Sequence, residues 1–185
     1  IPATSNYPAE KQLTWDSFKS IFQHNYLANF EEDAAPFLLA DTGLSFYAFN
    51  NVKVPQNGYI AQLSWGSIGY TPAANYGVKL AQETFESTRR RVISICGDAA
   101  FAESINAIGT IAELGLDSII FVVDNKVYAV EQWLVDATIY SPAQKGTPIR
   151  EKFLPMCQVP QGHIWDYAKL AAGFGGVGYS AYSNA

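Results

Sequence analysis

The chain is expected to fold as an α/β protein of three layers, a mostly parallel sheet with helices on both faces. Three observations lead there. From Val92 to Glu131 an apolar run, Val92 to Cys96, stops at Gly97-Asp98; a helical stretch, Ala99 to Leu116, follows; a second apolar run, Ile119 to Val123, stops at Asp124-Asn125. Upstream, short apolar runs again alternate with longer helix-period stretches, as crossover units on a parallel sheet require. A polar residue closes each strand, and parallel strand ends open on one edge, where ligands bind.

The elements follow in order. Residues 1–12 are polar and carry two prolines, Pro2 and Pro8, so they read as a lead-in. Thr14 is placed to N-cap a helix whose Trp15, Phe18, Ile21, Phe22 and Tyr26 form one apolar stripe. His24 in that helix reads as a surface residue. Pro36 to Ala40 is a short buried strand that ends in Asp41-Thr42-Gly43-Leu44-Ser45. Asn57-Gly58 marks a turn. Tyr59 to Leu63 is a weak strand, and Trp65-Gly66-Ser67-Ile68-Gly69 leads into a helix from Tyr70 to about Phe85, rich in small residues. For Gly66 and Gly69 close packing alone is the simpler reading. Arg89-Arg90-Arg91 reads as a solvated strand entry. Lys126 to Glu131 opens another helix. Val135 to Gly162 has little periodicity and carries Pro142, Pro148, Pro155 and Pro160, as lids, binding loops and disordered segments of this length do. His163 to Tyr167 starts the last helix, through Ala172. Gly173 to Gly178 is formally G-x-G-x-x-G, but it follows a helix and precedes a strand-like Tyr179 to Tyr182, so it reads as a glycine C-cap and not a dinucleotide fingerprint.

Composition narrows the function. With 185 residues, 49% hydrophobic and 16% charged, the chain has a real core and no case for disorder. A formal net charge of −5 and no long basic run argue against a nucleic-acid partner. No apolar run approaches the roughly 20 residues of a membrane span, and no signal peptide is visible. The two cysteines, Cys96 and Cys157, do not form a disulfide framework, so a reducing, cytoplasmic setting is expected. Cys157 and His163 lack the further ligands that a metal site needs and the third residue that a nucleophile-base pair needs. The chain starts at Ile1 and stops at Asn184-Ala185 just after a helix, so it is expected to be a fragment or processed piece.

The chemistry is concentrated at Asp98 and Asn125. One crossover brings their side chains to neighbouring strand tips, beside a helix start whose unpaired N–H groups favour phosphate. A carboxylate and an amide oxygen suit Mg²⁺, which fills its octahedron with phosphate oxygens and water. By spacing alone the simpler reading is an ordinary βαβ unit with a capping Asp and a turn Asn, since such units are common.

The stretch resembles the signature of thiamine diphosphate enzymes, a Gly-Asp-Gly followed by an Asn after a crossover helix. The resemblance implies that Asp98, Asn125 and the main-chain carbonyl of Val127 hold Mg²⁺, which holds the cofactor's diphosphate beside Gly97, Ala99, Ala100 and Tyr128. Ala99 departs from the second Gly of the motif. If that position needs φ > 0, Ala is strained; if it is the first helical residue, Ala is harmless, and the second reading is favoured.

Asp41-Thr-Gly-x-Ser and Trp65-Gly-Ser-Ile-Gly are similar to the corresponding loops of pyruvate and indolepyruvate decarboxylases. That implies a role for the Gly66 carbonyl as acceptor from the cofactor's 4′-amino group. It implies that Ile68, next to Ser67, is the wedge that bends the cofactor, so that the 4′-nitrogen can take the C2 proton. Gly43 and Ser45 would line the diphosphate and aminopyrimidine side. Glu131 stands where the pyruvate decarboxylase subgroup carries a catalytic carboxylate; in an apolar pocket its pKa would be raised and it would donate a proton. A first-turn Glu favoured by the helix dipole is the alternative.

The resemblance runs from about Leu13 to Tyr182. It implies a single diphosphate-binding domain over residues 1–185, from a three-domain enzyme that decarboxylates 2-oxo acids to aldehydes. A pyrimidine-binding domain, usually across a dimer interface, would supply the activating glutamate, in a homodimer or homotetramer. The chain alone is then expected to bind cofactor weakly and turn over nothing. Gln132-Trp133 leaves an acetolactate synthase-like carboligase as one alternative; Ala99 leaves a non-catalytic α/β interaction domain as another.

Overall fold

The structure, a computed structural model, describes residues 13–85, 90–138, 141–144 and 165–182. Residues 1–12, Arg89, Cys157, His163 and most of the stretch 135–162 lie outside them, as do the expectations attached to them.

Four strands form one sheet: β1 (Phe37–Ala40), β2 (Tyr59–Ala61), β3 (Val92–Gly97) and β4 (Ser118–Val123). All three pairings are parallel and the spatial order is β2-β1-β3-β4. The register pairs Phe37 with Val92 and Val92 with Ser118, so side chains of one parity share a face across the sheet. Leu38, Ala40, Ile93 and Ile95 pack with Phe22, Phe49 and Val52, with Ile119, Phe121 and Val123 against them. On the other face Phe37, Leu39 and Val92 meet Ala74 and Val78, while Cys96 meets Ala100, Phe101 and Ile108. The three-layer parallel architecture expected from the sequence is therefore present. A sheet covered on both sides needs continuous apolar strands, and Val92 to Cys96 is buried throughout.

The first face is covered by α1 (Trp15–Ile21) and α2 (Leu44–Phe49). Thr14 caps α1 through a full capping box with Ser17. The helix continues as a π turn, Phe22–Tyr26, which keeps Phe22 buried and leaves His24 exposed. Phe18, Phe22, Phe49 and Phe121 meet there, with ring centroids 5.1–6.3 Å apart. The opposite face carries α3 (Tyr70–Phe85), α4 (Asp98–Glu103), α5 (Ala107–Glu113) and α7 (Tyr167–Gly173); α6 (Ala129–Val135) follows β4.

Three expectations are corrected. The crossover helix is broken: Ala99 to Leu116 is not one helix but α4 and α5, with Ser104 leaving the helical region at φ −139, ψ 34 and its hydroxyl on the Gly69 carbonyl. Leu44 to Phe49 is helical, which the loop reading of 41–45 missed. Tyr179 to Tyr182 is not a strand. The glycines before it do end a helix: Gly175 has φ 89 and its N–H bonds the Ala172 carbonyl, and Gly176 bonds Ala171. No helix among the described residues is long and apolar enough to cross a membrane.

Candidate functional site

The order β2-β1-β3-β4 places a reversal between β1 and β3. The connection from β1 runs one way across the sheet and later connections run the other, so the loops at the carboxyl ends diverge there. Four loops reach that edge: 41–43, 62–69, the β3–α4 junction and 124–128.

Asp98 begins α4 directly after β3 and is buried. One carboxylate oxygen, Oδ1, accepts from the Ala99 N–H at 2.8 Å. The other, Oδ2, accepts from the Lys126 N–H at 2.8 Å, across the β3–β4 boundary. Asp98 and the Asn125 loop are thus brought together, as the crossover spacing predicts. Asn125 is exposed, and its Oδ1 accepts from the Val127 N–H at 3.2 Å, closing a small turn. That turn requires Lys126 at φ 58. Burial pushes the Asp98 carboxyl up from its ordinary range; the Ala99 and Lys126 N–H groups hold it back, and the adjacent Asp124 raises it further.

Ala99 is helical and does not have positive φ, so it is unstrained in place of glycine. Its N–H is engaged by Asp98. Ala100 packs into the core beneath. At Gly97 a Cβ would meet nothing within 4 Å, and the same is true at Gly66, which has φ 60. Gly66, Ser67 and Ile68 lie on an exposed loop. Ser67 donates its N–H to Gln62 Oε1, and its carbonyl accepts from Thr42 Oγ1 at 3.0 Å. The loops after β1 and β2 are therefore stitched together.

Gly43, at φ 100 and ψ −148, precedes α2; a Cβ there would lie 3.7 Å from Val130 Cγ2, so α6 approaches the same edge. Ser45 is buried within α2 and not presented at the surface. Tyr128 is exposed just before α6. Glu131 sits in the first turn of α6 and is exposed. The apolar pocket expected around it is not formed by the described residues of this chain.

Two residues noted at strand ends were given no role of their own in the sequence reading. Asp124 lies beside Asp98 and adds negative charge at the strand tips. Asp41 is fully buried and accepts four hydrogen bonds. Its signal was its place at the end of β1, where a polar residue closes an apolar run.

The family model described as thiamine pyrophosphate enzyme, C-terminal TPP binding domain, matches residues 41–185. Pyruvate decarboxylase isozyme 1 of Saccharomyces cerevisiae is 30% identical over 182 residues, which covers 98% of this chain and 28% of that protein. A thiamine metabolism regulatory protein of the same yeast is 36% identical over 112 residues, 56% of this chain and 18% of the relative. The solved thiamine diphosphate-dependent 4-hydroxybenzoylformate decarboxylase of Rhodococcus jostii superposes with a TM-score of 0.69 at 20% identity, covering 96% of this chain and 29% of that one, which is a likeness of fold. The chain thus spans less than a third of the length of these proteins.

Proposed function

Because the chain belongs to the thiamine pyrophosphate enzymes, through their C-terminal TPP-binding domain, we propose that it is the diphosphate- and Mg²⁺-binding domain of a longer enzyme that decarboxylates 2-oxo acids to aldehydes. The observation that carries this reading is the Lys126 N–H on Asp98 Oδ2 at 2.8 Å, which draws the two strand tips into one acidic, oxygen-rich corner.

The residues present fit the group. Each Asp98 oxygen accepts one N–H and keeps further lone-pair capacity. The buried Asp98 has the exposed Asp124 beside it, and a divalent cation would relieve the repulsion between them. Asp98, Asn125 and the Val127 carbonyl would hold the metal. Gly97 and Gly66 leave open the space a side chain would fill. Gly97, Ala99 and Tyr128 would border the diphosphate, Gly43 its flank, and Gly66, Ser67 and Ile68 the ring end, with the buried Ala100 and Ser45 supporting the cradle from beneath. When bound, thiamine diphosphate supplies an electron sink for the pair released as CO₂ leaves.

In this reading Glu131 delivers a proton to the substrate carbon that has lost its carboxylate. Glu131 is exposed in this chain, so the role requires a further domain to cover α6 and enclose the reacting carbon. A pyrimidine-binding domain, in the same protein or a second copy, would do so and would bring the activating glutamate, in a homodimer or homotetramer. The chain's 28% share of a decarboxylase relative leaves room for it.

Calorimetry on the full-length protein tests the reading. Saturable binding of thiamine diphosphate that needs Mg²⁺ is expected, weakened by roughly 100-fold or more in Asp98→Asn. Aldehyde release from pyruvate or a bulkier 2-oxo acid is expected from the wild type; an acetohydroxy acid product would point to the carboligase instead. Absence of heat and of thermal protection would sink the cofactor assignment. A second reading has one support, the regulatory relative at 36% identity. In that case the domain binds the cofactor and releases no product.

A further inference from the structure

Asp41 plays no part in the chemistry proposed above, yet it is fully buried at the end of β1. Burying a carboxylate is costly unless it is fully hydrogen-bonded, and here it is. Oδ1 accepts from the Thr42 N–H at 2.9 Å and the Gly69 N–H at 3.0 Å. Oδ2 accepts from the Thr71 N–H at 3.0 Å and from Thr71 Oγ1 at 2.7 Å. Those four donors belong to three separate pieces: the loop after β1, the end of the loop after β2, and the first turn of α3.

We infer that Asp41 is a positioning residue: its carboxylate clamps the loop bearing Gly66, Ser67 and Ile68 against the loop bearing Gly43, and so sets the ring end of the cofactor cradle relative to its flank. The inference rests on the cofactor reading for what the cradle holds, but the clamp itself stands on geometry. The neighbouring bonds point the same way. Thr42 Oγ1 donates to the Gln62 and Ser67 carbonyls at 3.1 and 3.0 Å. The Gly69 carbonyl accepts from Ser104, so Gly69 is held by Asp41 on one side and by the end of α4 on the other. A Cβ at Gly69 would stand 2.5 Å from Glu103 Cβ, which leaves the loop no slack in that direction. The network continues away from the site through the Thr71 carbonyl to Ser94 Oγ and Asn75 Nδ2, which gives an internal comparison residue.

The test uses Asp41→Asn and Ser94→Ala in the full-length protein. An Asn at 41 offers one oxygen in place of two and turns an N–H₂ toward an N–H donor, so at least one backbone bond is lost, and both if the N–H₂ takes the Oδ1 side. Hydrogen exchange is measured residue by residue without cofactor, and thiamine diphosphate affinity is measured with Mg²⁺. In Asp41→Asn the amides of Ser67 and Gly69 should exchange about tenfold or more faster relative to those of β3, and the cofactor should bind about tenfold more weakly. Ser94→Ala should speed loop and strand amides equally and leave affinity within about twofold. Loop amides in Asp41→Asn that speed up no more than strand amides overturn the clamp. Should Asp41→Asn fail to fold, Thr71→Val, which removes only the hydroxyl bond, must show the same selective loop exchange at a smaller scale or the inference fails. A wild type that ignores thiamine diphosphate while the loop exchange behaves as expected overturns the cofactor reading and supports the clamp.

Discussion

Lys126 adopts φ 58, a conformation that costs an L-residue about 1–2 kcal/mol. The backbone there turns its own N–H to Asp98 and lets the next N–H reach Asn125. Strain held in place by two local bonds is typical of ligand-binding corners. Lys126→Gly should therefore raise stability by roughly 0.5–1 kcal/mol, the strain relief less the added freedom of the unfolded chain. Urea unfolding would show it, and a drop in the midpoint would mean that the lysine side chain carries a compensating contact. Tyr59 is a second instance where the residue alone decides. Its buried hydroxyl has no hydrogen-bond partner among the described residues, so Tyr59→Phe should be neutral or stabilising. A loss of more than about 1 kcal/mol would contradict this.

Among the elements, the loop from β2 to α3 offers a paired comparison. Gly66 and Gly69 both have positive φ, but only Gly69 has another chain segment where a Cβ would go. Gly66→Ala should cost about 1 kcal/mol and Gly69→Ala about 2–3 kcal/mol, as backbone strain plus displacement of α4. Equal losses would show that α4 yields freely. The strands were legible in the sequence because a sheet covered on both sides demands apolar runs, and Val92 to Cys96 or Ile119 to Val123 satisfy nothing else. The helix from Tyr70 to Phe85 matched residue for residue, since its small residues sit on a sheet face. The break at Ser104 was not legible: nothing local forbids a helix there, and the residue its hydroxyl meets, Gly69, is remote in the chain. The same holds for Leu44 to Phe49, whose aromatic residues favour strands until Phe49 finds the core. At the site, Asp98 and Asn125 were legible from their places at strand ends. The exposure of Glu131 was not, because a first-turn glutamate reads alike whether it is covered or bare.

Taken as a whole molecule, the chain should lose stability at alkaline rather than at neutral pH. Burial pushes the Tyr59 hydroxyl up to about 12 and raises Tyr70 and Tyr167 as well, from an ordinary value near 10. The folded state keeps these protons where the unfolded chain has shed them. Their stabilising contribution is complete below about pH 10 and is lost as pH rises through about 12. The buried Cys96 thiol, also raised well above its usual value, adds to the loss from nearer pH 9. Urea midpoints should therefore be level from about pH 7 to 8 and fall above about 9, with a shallower fall in Tyr59→Phe. A midpoint that stays level to pH 12 would show that these hydroxyls ionise freely in the native state. The reversal of direction between β1 and β3 also dictates an order of assembly. β1 is an inner strand whose second neighbour is made only after α3, and the Asp98 corner needs β4 after that. The crevice thus depends on contacts between segments distant in the chain, whose closure is entropically costly. A ribosome-bound chain that has emerged only as far as α3 holds the clamp residues Asp41, Gly69 and Thr71 but not yet the corner around Asp98.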